Sequence, residues 1–299
     1  MDVDVVVPGG AMGAMYTLGG VALVRELERA GVLRVRAYYA TSAGSLLAVA
    51  ALCFSSDERD ALIARTLEFV AMLQERARTH WIHETIGAHL EACLPADAHV
   101  RCAGRLVLST TRLARAPRET VRAFETREAL ISAVVDSCRL PFFSAPARCV
   151  VGRHDGYLSP TPEHGGVEGT CAVVTLPYPP AWETVALSLR VVWWAAPFMP
   201  ATDVDARARA ALDAGVDLAA ARIARVVDVP PAVVAQTRAT IAHVGASTKG
   251  LAPTAVGAGV GSLPLVLAAK RLVRRLGRRI VLRLLRTAST LTKIELTSL

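Results

Sequence analysis

The sequence predicts an α/β protein in which a mostly parallel central sheet is flanked by helices and followed by a basic C-terminal tail. Two short apolar runs, at residues 3–7 and 35–40, are each followed by a turn of small residues and then by a helical pattern. Such alternation of buried strands and helices is typical of parallel sheets. The third observation is the charge distribution, because positive residues are concentrated near the C-terminal end.

The length of 299 residues and an apolar content of 53% are sufficient for one large α/β domain. We expect this domain at residues 1–228, an apolar connecting region with proline and glycine at 229–264, and a cationic amphipathic tail at 265–299. The six cysteines show no Cys-x-x-Cys spacing, and no signal segment precedes the first apolar run. These features predict free thiols in a reducing, cytoplasmic compartment.

The net charge of +8 comes from one segment, since residues 270–286 contain eight Lys or Arg and no acidic residue. A neutral body argues against nucleic-acid binding by the domain. A helix at the start of this segment would be amphipathic, which predicts peripheral association with an anionic membrane or a lipid droplet. The alternatives are a helix packed on its own domain or a disordered arm. The residues predicted to contact the lipid surface are Arg271, Arg274, Arg275, Arg278 and Arg279.

The second apolar run leads into a nucleophile elbow, the strand–turn–helix arrangement that presents a reactive Ser. Ser42 lies between Ala40 and Gly44, and a helical pattern begins directly after it. The N-terminus of that helix would favour negative charge beside the hydroxyl. Ala40 replaces the first glycine of the usual G-x-S-x-G pattern. The alternative interpretation is a Ser that caps a buried helix.

A glycine-rich turn, Pro8–Gly13, follows the first strand, and its backbone N–H groups are suited to binding an anion. The turn lacks the Lys-Ser/Thr of a P-loop, and Pro8 interrupts a G-x-G-x-x-G pattern. With a candidate nucleophile after the next strand, an oxyanion hole is favoured over a phosphate site.

A third candidate residue is Asp155, which ends a short predicted strand and precedes Gly156. The alternative interpretation is an ordinary Asp-Gly turn. His83-Glu84 resembles the start of a zinc-protease helix, but Gly87 occupies the place of the second His. We therefore expect neither a metal nor a cofactor.

Four motifs occur in a specific order: the glycine-rich turn, the Ser elbow, the segment Ser137–Ser144 (SCRLPFFS) and Asp155-Gly156. Together they resemble the patatin-like phospholipase family over residues 3–227. The segment Ser137–Ser144 is similar to the group that includes adipose triglyceride lipase and adiponutrin.

The resemblance implies a lipid acyl hydrolase with a Ser–Asp dyad, in which Ser42 is the nucleophile and Asp155 the general base. It implies the oxyanion role of Gly9, Gly10, Ala11 and Gly13, and places Ala40, Gly44 and Gly156 in the elbow and the turn. The sequence departs from the family pattern at Pro8, Ala11, Met12, Ala40 and Tyr157. These departures leave an alternative, a catalytically inactive lipid-binding or membrane-scaffold protein.

Overall fold

The computed structural model describes residues 1–10, 13–54, 61–76, 82–112, 118–140, 144, 152–156, 171–177 and 201–247. Within these ranges the chain is an α/β protein with a mostly parallel central sheet flanked by helices. The part of the expected connecting region after residue 247 and the expected basic tail at 265–299 lie outside the described residues.

Six strands form one sheet in the order β4-β3-β2-β1-β6, and β5 pairs with β3 beside this path. The strands are β1 (Asp2–Val7), β2 (Arg34–Thr41), β3 (Leu106–Arg112), β4 (Arg118–Val121), β5 (Arg153–Asp155) and β6 (Ala172–Thr175). The central four, β3-β2-β1-β6, are parallel, whereas β4 and β5 run antiparallel to β3. The carboxyl ends of the parallel strands therefore meet at one edge, where ligands bind in open α/β sheets.

The helices connect these strands and cover the sheet. They are α1 (Ala14–Arg29), α2 (Ala43–Cys53), α3 (Ala61–Arg76), α4 (Ile82–Cys93), α5 (Ala98–Cys102), α6 (Arg127–Ser137), α7 (Ala201–Ile223) and α8 (Pro231–Ser247). The three central strands β1, β2 and β3 are largely buried, as their apolar runs predicted. Among the described residues, no helix is both long and apolar enough to cross a bilayer.

The tight crossing of α1 and α7 explains why α1 is longer than its sequence pattern suggested. The pattern of alternating apolar and charged residues is clear only from Val21 onward, but α1 begins at Ala14. A Cβ atom on Gly19 would lie 2.2 Å from the Leu212 carbonyl oxygen, and one on Gly215 would lie 2.0 Å from the Tyr16 carbonyl oxygen. Glycines that weaken the helical signal are thus required by the close approach of the two backbones.

The region after residue 228 contains a helix rather than only a connecting segment. Residues Pro231–Ser247 form α8, which packs against α1 and α7 and places Ile241 and Val244 in the core. Pro231 occupies the first helical position, where its missing N–H costs no hydrogen bond. The α/β body therefore extends at least to the end of α8.

Candidate active site

Ser42 lies between β2 and α2 in a strained backbone conformation. Its φ is 54° and its ψ −133°, and it is the one non-glycine residue with positive φ in the described part of the chain. Such conformations cost about 1–3 kcal/mol and cluster at functional sites. Ser42 is half-buried, and its side chain makes no capping hydrogen bond to α2. The Ser42 hydroxyl therefore does not cap α2, contrary to the alternative interpretation of this residue.

Small residues on both sides of Ser42 allow the elbow to contact the glycine-rich turn. A Cβ atom on Gly44 would lie 2.3 Å from the Val7 carbonyl oxygen, so the first turn of α2 rests on the end of β1. A Cβ atom on Gly9 would lie 2.7 Å from the Ser42 Cβ atom and 3.5 Å from its Oγ atom. The turn that follows β1 is therefore in direct contact with the Ser42 side chain.

The departure at Ala40 has a simple structural explanation. Ala40 is a buried member of β2 and pairs with Val7 on one side and Leu108 on the other. The positive φ of the elbow is adopted by Ser42 alone among these residues. Alanine at position 40 therefore introduces no backbone strain.

β2 and β5 pair with consecutive parts of the same edge of β3, which brings Asp155 to the end of the strand that precedes Ser42. β2 ends with Thr41 opposite Ser109, and the next residue of β3, Thr110, pairs with Asp155 of β5. β4 pairs with the same part of β3 and so occupies its other edge. The β3 partner of Asp155 therefore directly follows the β3 partner of Thr41, so the end of β5 lies beside the end of β2.

The turn after Asp155 is packed as closely as the elbow. A Cβ atom on Gly156 would lie 2.7 Å from the Ser109 carbonyl oxygen, so only glycine fits there without a shift of the backbone. Asp155 itself is 1% exposed. Its carboxylate is therefore shielded from bulk water.

The C-terminal end of α6 contacts the backbones of both Ser42 and Asp155. The Ser42 N–H donates to Ser137 Oγ at 3.0 Å, and the Asp155 N–H donates to the Arg139 carbonyl oxygen at 2.9 Å. Ser144 stabilises the same region, since its Oγ accepts from the Leu140 N–H at 2.7 Å. The segment SCRLPFFS, which the sequence analysis recognised only as a motif, thus includes two Ser side chains that organise the site.

Of the predicted oxyanion residues, Gly9, Gly10 and Gly13 lie in the described part of the turn. The Gly13 N–H donates to the Gly10 carbonyl oxygen at 2.8 Å and is thereby used within the turn. Ala11 lies outside the described residues. The first amides of α2, at Ala43 and Gly44, add further donors, because the first N–H groups of a helix have no acceptor within it.

An apolar cavity of about 110 Å³ extends from Ser42 between α2, α3 and α4. Most of its lining is aliphatic or aromatic and comes from facing sides of these helices, including Leu46, Leu47, Ala50, Phe69, Val70, Leu73, Ile86 and Leu90. At Ser42 the cavity also meets Ala14 and Met15 of α1 and Cys138 and Leu140 after α6. Its mainly apolar lining suits a hydrocarbon group better than a polar ligand.

Two ionisable groups that line this cavity, His89 and Cys138, are uncharged near neutral pH. Burial lowers the pKa of His89, whose ring lies 4.8 Å from that of Phe69, so its imidazole is uncharged near neutral pH. Burial and the negative charge of Asp155 raise the pKa of the Cys138 thiol. Cys138 Sγ also lies 3.6 Å from Ser45 Oγ, which in turn donates to the Ser42 carbonyl oxygen. Cys138 thus lies in the same neighbourhood as both candidate residues, as a thiol rather than a thiolate.

Several predicted features lie outside the described residues, among them Met12, Tyr157 and the five tail arginines Arg271, Arg274, Arg275, Arg278 and Arg279. Comparison with protein-family models and with curated proteins finds no match to this chain.

Proposed function

We propose that this chain is a serine lipid acyl hydrolase of the patatin-like type, with a Ser42–Asp155 dyad. The observation that carries the proposal is the strained Ser42 in the lining of an apolar cavity, with Asp155 of β5 beside the end of β2. Backbone strain at a half-exposed Ser is the mark of a nucleophile elbow. The cavity supports a lipid acyl group as the part of the substrate that is bound.

The first half of the proposed reaction transfers the acyl group to the enzyme. Asp155 accepts the proton of the Ser42 hydroxyl while Oγ attacks the ester carbonyl carbon. The negative charge that develops on the carbonyl oxygen is stabilised by backbone N–H groups of the glycine-rich turn and the start of α2. Collapse of the tetrahedral intermediate breaks the ester C–O bond, and the leaving alcohol takes the proton from Asp155.

The second half releases the fatty acid. Asp155 accepts a proton from a water molecule, whose oxygen attacks the acyl–Ser42 carbonyl carbon. Collapse returns the proton to Ser42 Oγ, so the enzyme is regenerated and one water is consumed. Asp155 is buried, so little bulk water competes for the protons that it accepts in the two halves of the reaction.

The proposal also includes the surface at which the enzyme acts. The basic segment near residue 271 is proposed to hold the domain at an anionic membrane or lipid-droplet surface, so that acyl chains can enter the cavity. No nucleic-acid partner and no cofactor belong to this proposal. In this proposal, the segments around the mouth of the cavity select the lipid headgroup.

Labelling with a fluorophosphonate, which phosphonylates activated Ser residues, tests the proposal. We expect wild-type protein to be labelled, Ser42→Ala to be unlabelled, and Asp155→Asn to react at least about 100-fold more slowly, since general-base catalysis contributes about 10²–10⁴-fold. Ser132→Ala, an exposed position on α6, is the matched control and should react like wild type.

The contrary outcome supports the second candidate function, a catalytically inactive lipid-binding or scaffold protein. Two observations favour that candidate: Pro8 has no N–H to donate, and the Gly13 N–H is used within its own turn. If folded wild-type protein is not labelled in either detergent or lipid, the hydrolase proposal is wrong and the inactive lipid-binding or scaffold function is favoured.

A further inference from the structure

We infer that Ser137 is a positioning residue for Ser42: its hydroxyl fixes the nucleophile's backbone against the strand that carries Asp155. This inference rests on the proposed function, because it assigns to Ser137 a role in the reaction of the Ser42–Asp155 dyad. Ser137 is not proposed to touch the substrate.

The Ser137 hydroxyl makes two hydrogen bonds, and together they fix its orientation. Its oxygen accepts from the Ser42 N–H at 3.0 Å, and its own hydrogen is donated to the Ser109 carbonyl oxygen at 2.9 Å. Ser137 is fully buried, so water does not compete for these bonds. One hydroxyl therefore connects three elements that are remote in sequence, the elbow, β3 and the end of α6.

Ser42 needs such a restraint because its backbone is strained. A residue at φ 54° and ψ −133° keeps that conformation only where its surroundings enforce it. Gly9 and Gly44 make room for the elbow, but neither contact holds the Ser42 amide. The bond from that amide to Ser137 Oγ does so. It also commits the Ser42 N–H, so this amide is not an oxyanion donor.

The same hydroxyl also sets the position of Ser42 relative to Asp155. Its acceptor, Ser109, is the last residue of β3 that pairs with β2, and the next residue, Thr110, pairs with Asp155. Two residues after Ser137, the Arg139 carbonyl oxygen accepts the Asp155 N–H at 2.9 Å. The end of α6 therefore bridges the two halves of the dyad, and Ser137 is the side chain that contacts the nucleophile's half.

Titration with a fluorophosphonate separates positioning from a merely structural role. The end point of labelling counts competent sites, and the rate constant reports how well each site is aligned. For Ser137→Ala we expect a full end point with a rate constant lowered about 10- to 100-fold, since misplacement by about 1 Å can cost about 10²-fold. For a soluble p-nitrophenyl ester, kcat should fall by the same factor while KM stays within about twofold.

A second substitution protects the test against misfolding. Ser137→Cys keeps nearly the same volume but has a weak hydrogen-bonding group, and we expect the same loss of rate. Ser132→Ala on the same helix should match wild type. A wild-type rate constant in folded Ser137→Ala or Ser137→Cys, or a lowered end point with an unchanged rate constant, would overturn the inference. Failure of the proposed function itself is distinct, because wild-type protein would then show no labelling.

Discussion

Ser42 has a strained backbone, because it adopts a positive φ although it is not a glycine. In most α/β turns glycine would adopt a positive φ, because it has no Cβ atom to clash with the backbone. Here a residue with a hydroxyl is kept in that conformation by a packed glycine on each side and by Ser137. The strained conformation of Ser42 lowers the stability of the fold, and a Ser at such a position is consistent with a functional constraint.

The strain at Ser42 predicts a difference between two substitutions that both remove the hydroxyl. Ser42→Gly relieves about 1–3 kcal/mol of strain, offset by about 0.5–1 kcal/mol for the extra backbone freedom of glycine in the unfolded chain. Ser42→Ala keeps the Cβ atom and hence the strain. We expect Ser42→Gly to be the more stable of the two by about 1 kcal/mol in urea unfolding. Equal stabilities would show that the elbow is not strained.

The contact between Ser137 and the Ser42 amide could not be predicted from the sequence. Ser42 and Asp155 were predicted because strand, turn and motif order are local properties of the chain. The partner of the Ser42 amide lies 95 positions away in the sequence, and only the packing of α6 against β3 brings the two together. A buried Ser at the end of a helix carries no signal of that contact.

At the scale of elements, the first turn of α2 is fitted to the end of β1. The Cβ atom of an alanine at position 44 would meet two backbone carbonyl oxygens, those of Val7 and Pro8, at 2.3 and 2.5 Å. Backbone atoms in a buried strand cannot move aside as a flexible side chain can. The elbow and the glycine-rich turn are therefore a single packed unit.

A pair of Gly→Ala substitutions in helices tests this fit. We expect Gly44→Ala to destabilise the protein by about 1–3 kcal/mol, the usual cost of overpacking, and to slow fluorophosphonate labelling. Gly87→Ala in α4 is the control, since its Cβ atom would lie 3.9 Å from the nearest Val135 carbon. There alanine should stabilise by up to about 1 kcal/mol through helix propensity. Thermal unfolding measures both, and a neutral Gly44→Ala would contradict the tight packing.

The elements that the sequence did predict are those with strong apolar patterns. β1 and β2 lie close to the apolar runs at residues 3–7 and 35–40 that predicted them. β4 was missed because its four residues, RETV, are polar and only partly buried. α8 was missed because its sequence has little amphipathic pattern, so its burial depends on tertiary contacts with α1 and α7.

At the scale of the whole molecule, the α/β body and the basic segment have separable tasks under the proposed function. The body contains the candidate dyad and the cavity, whereas the eight positive charges at residues 270–286 account for the net charge. Attraction to an anionic surface contributes about 1 kcal/mol per Lys or Arg and is screened by salt.

Deletion of residues 265–299 tests this separation. We expect loss of binding to phosphatidylserine-containing liposomes, with hydrolysis of a soluble ester retained. The matched full-length variant replaces Arg271, Arg274, Arg275, Arg278 and Arg279 by Gln, and should weaken binding by about 10³-fold or more at about 1 kcal/mol per charge. Cosedimentation with liposomes at low and high salt measures both variants. Unchanged binding in either would rule out the basic segment as the lipid-surface anchor.

The meeting of β2 and β5 on one edge of β3 has a consequence for the order in which the chain is made. Ser42 is synthesised early and Asp155 much later, after the segments that form α3 to α6. Closing such a long loop is slow, since the chain gains its pairing energy only once both ends are in place. During synthesis, the chain would therefore contain Ser42 before Asp155 is in place to act as its base. Under the proposed mechanism it gains the power to cleave lipids only after β5 has joined the sheet, which protects nearby membranes during synthesis.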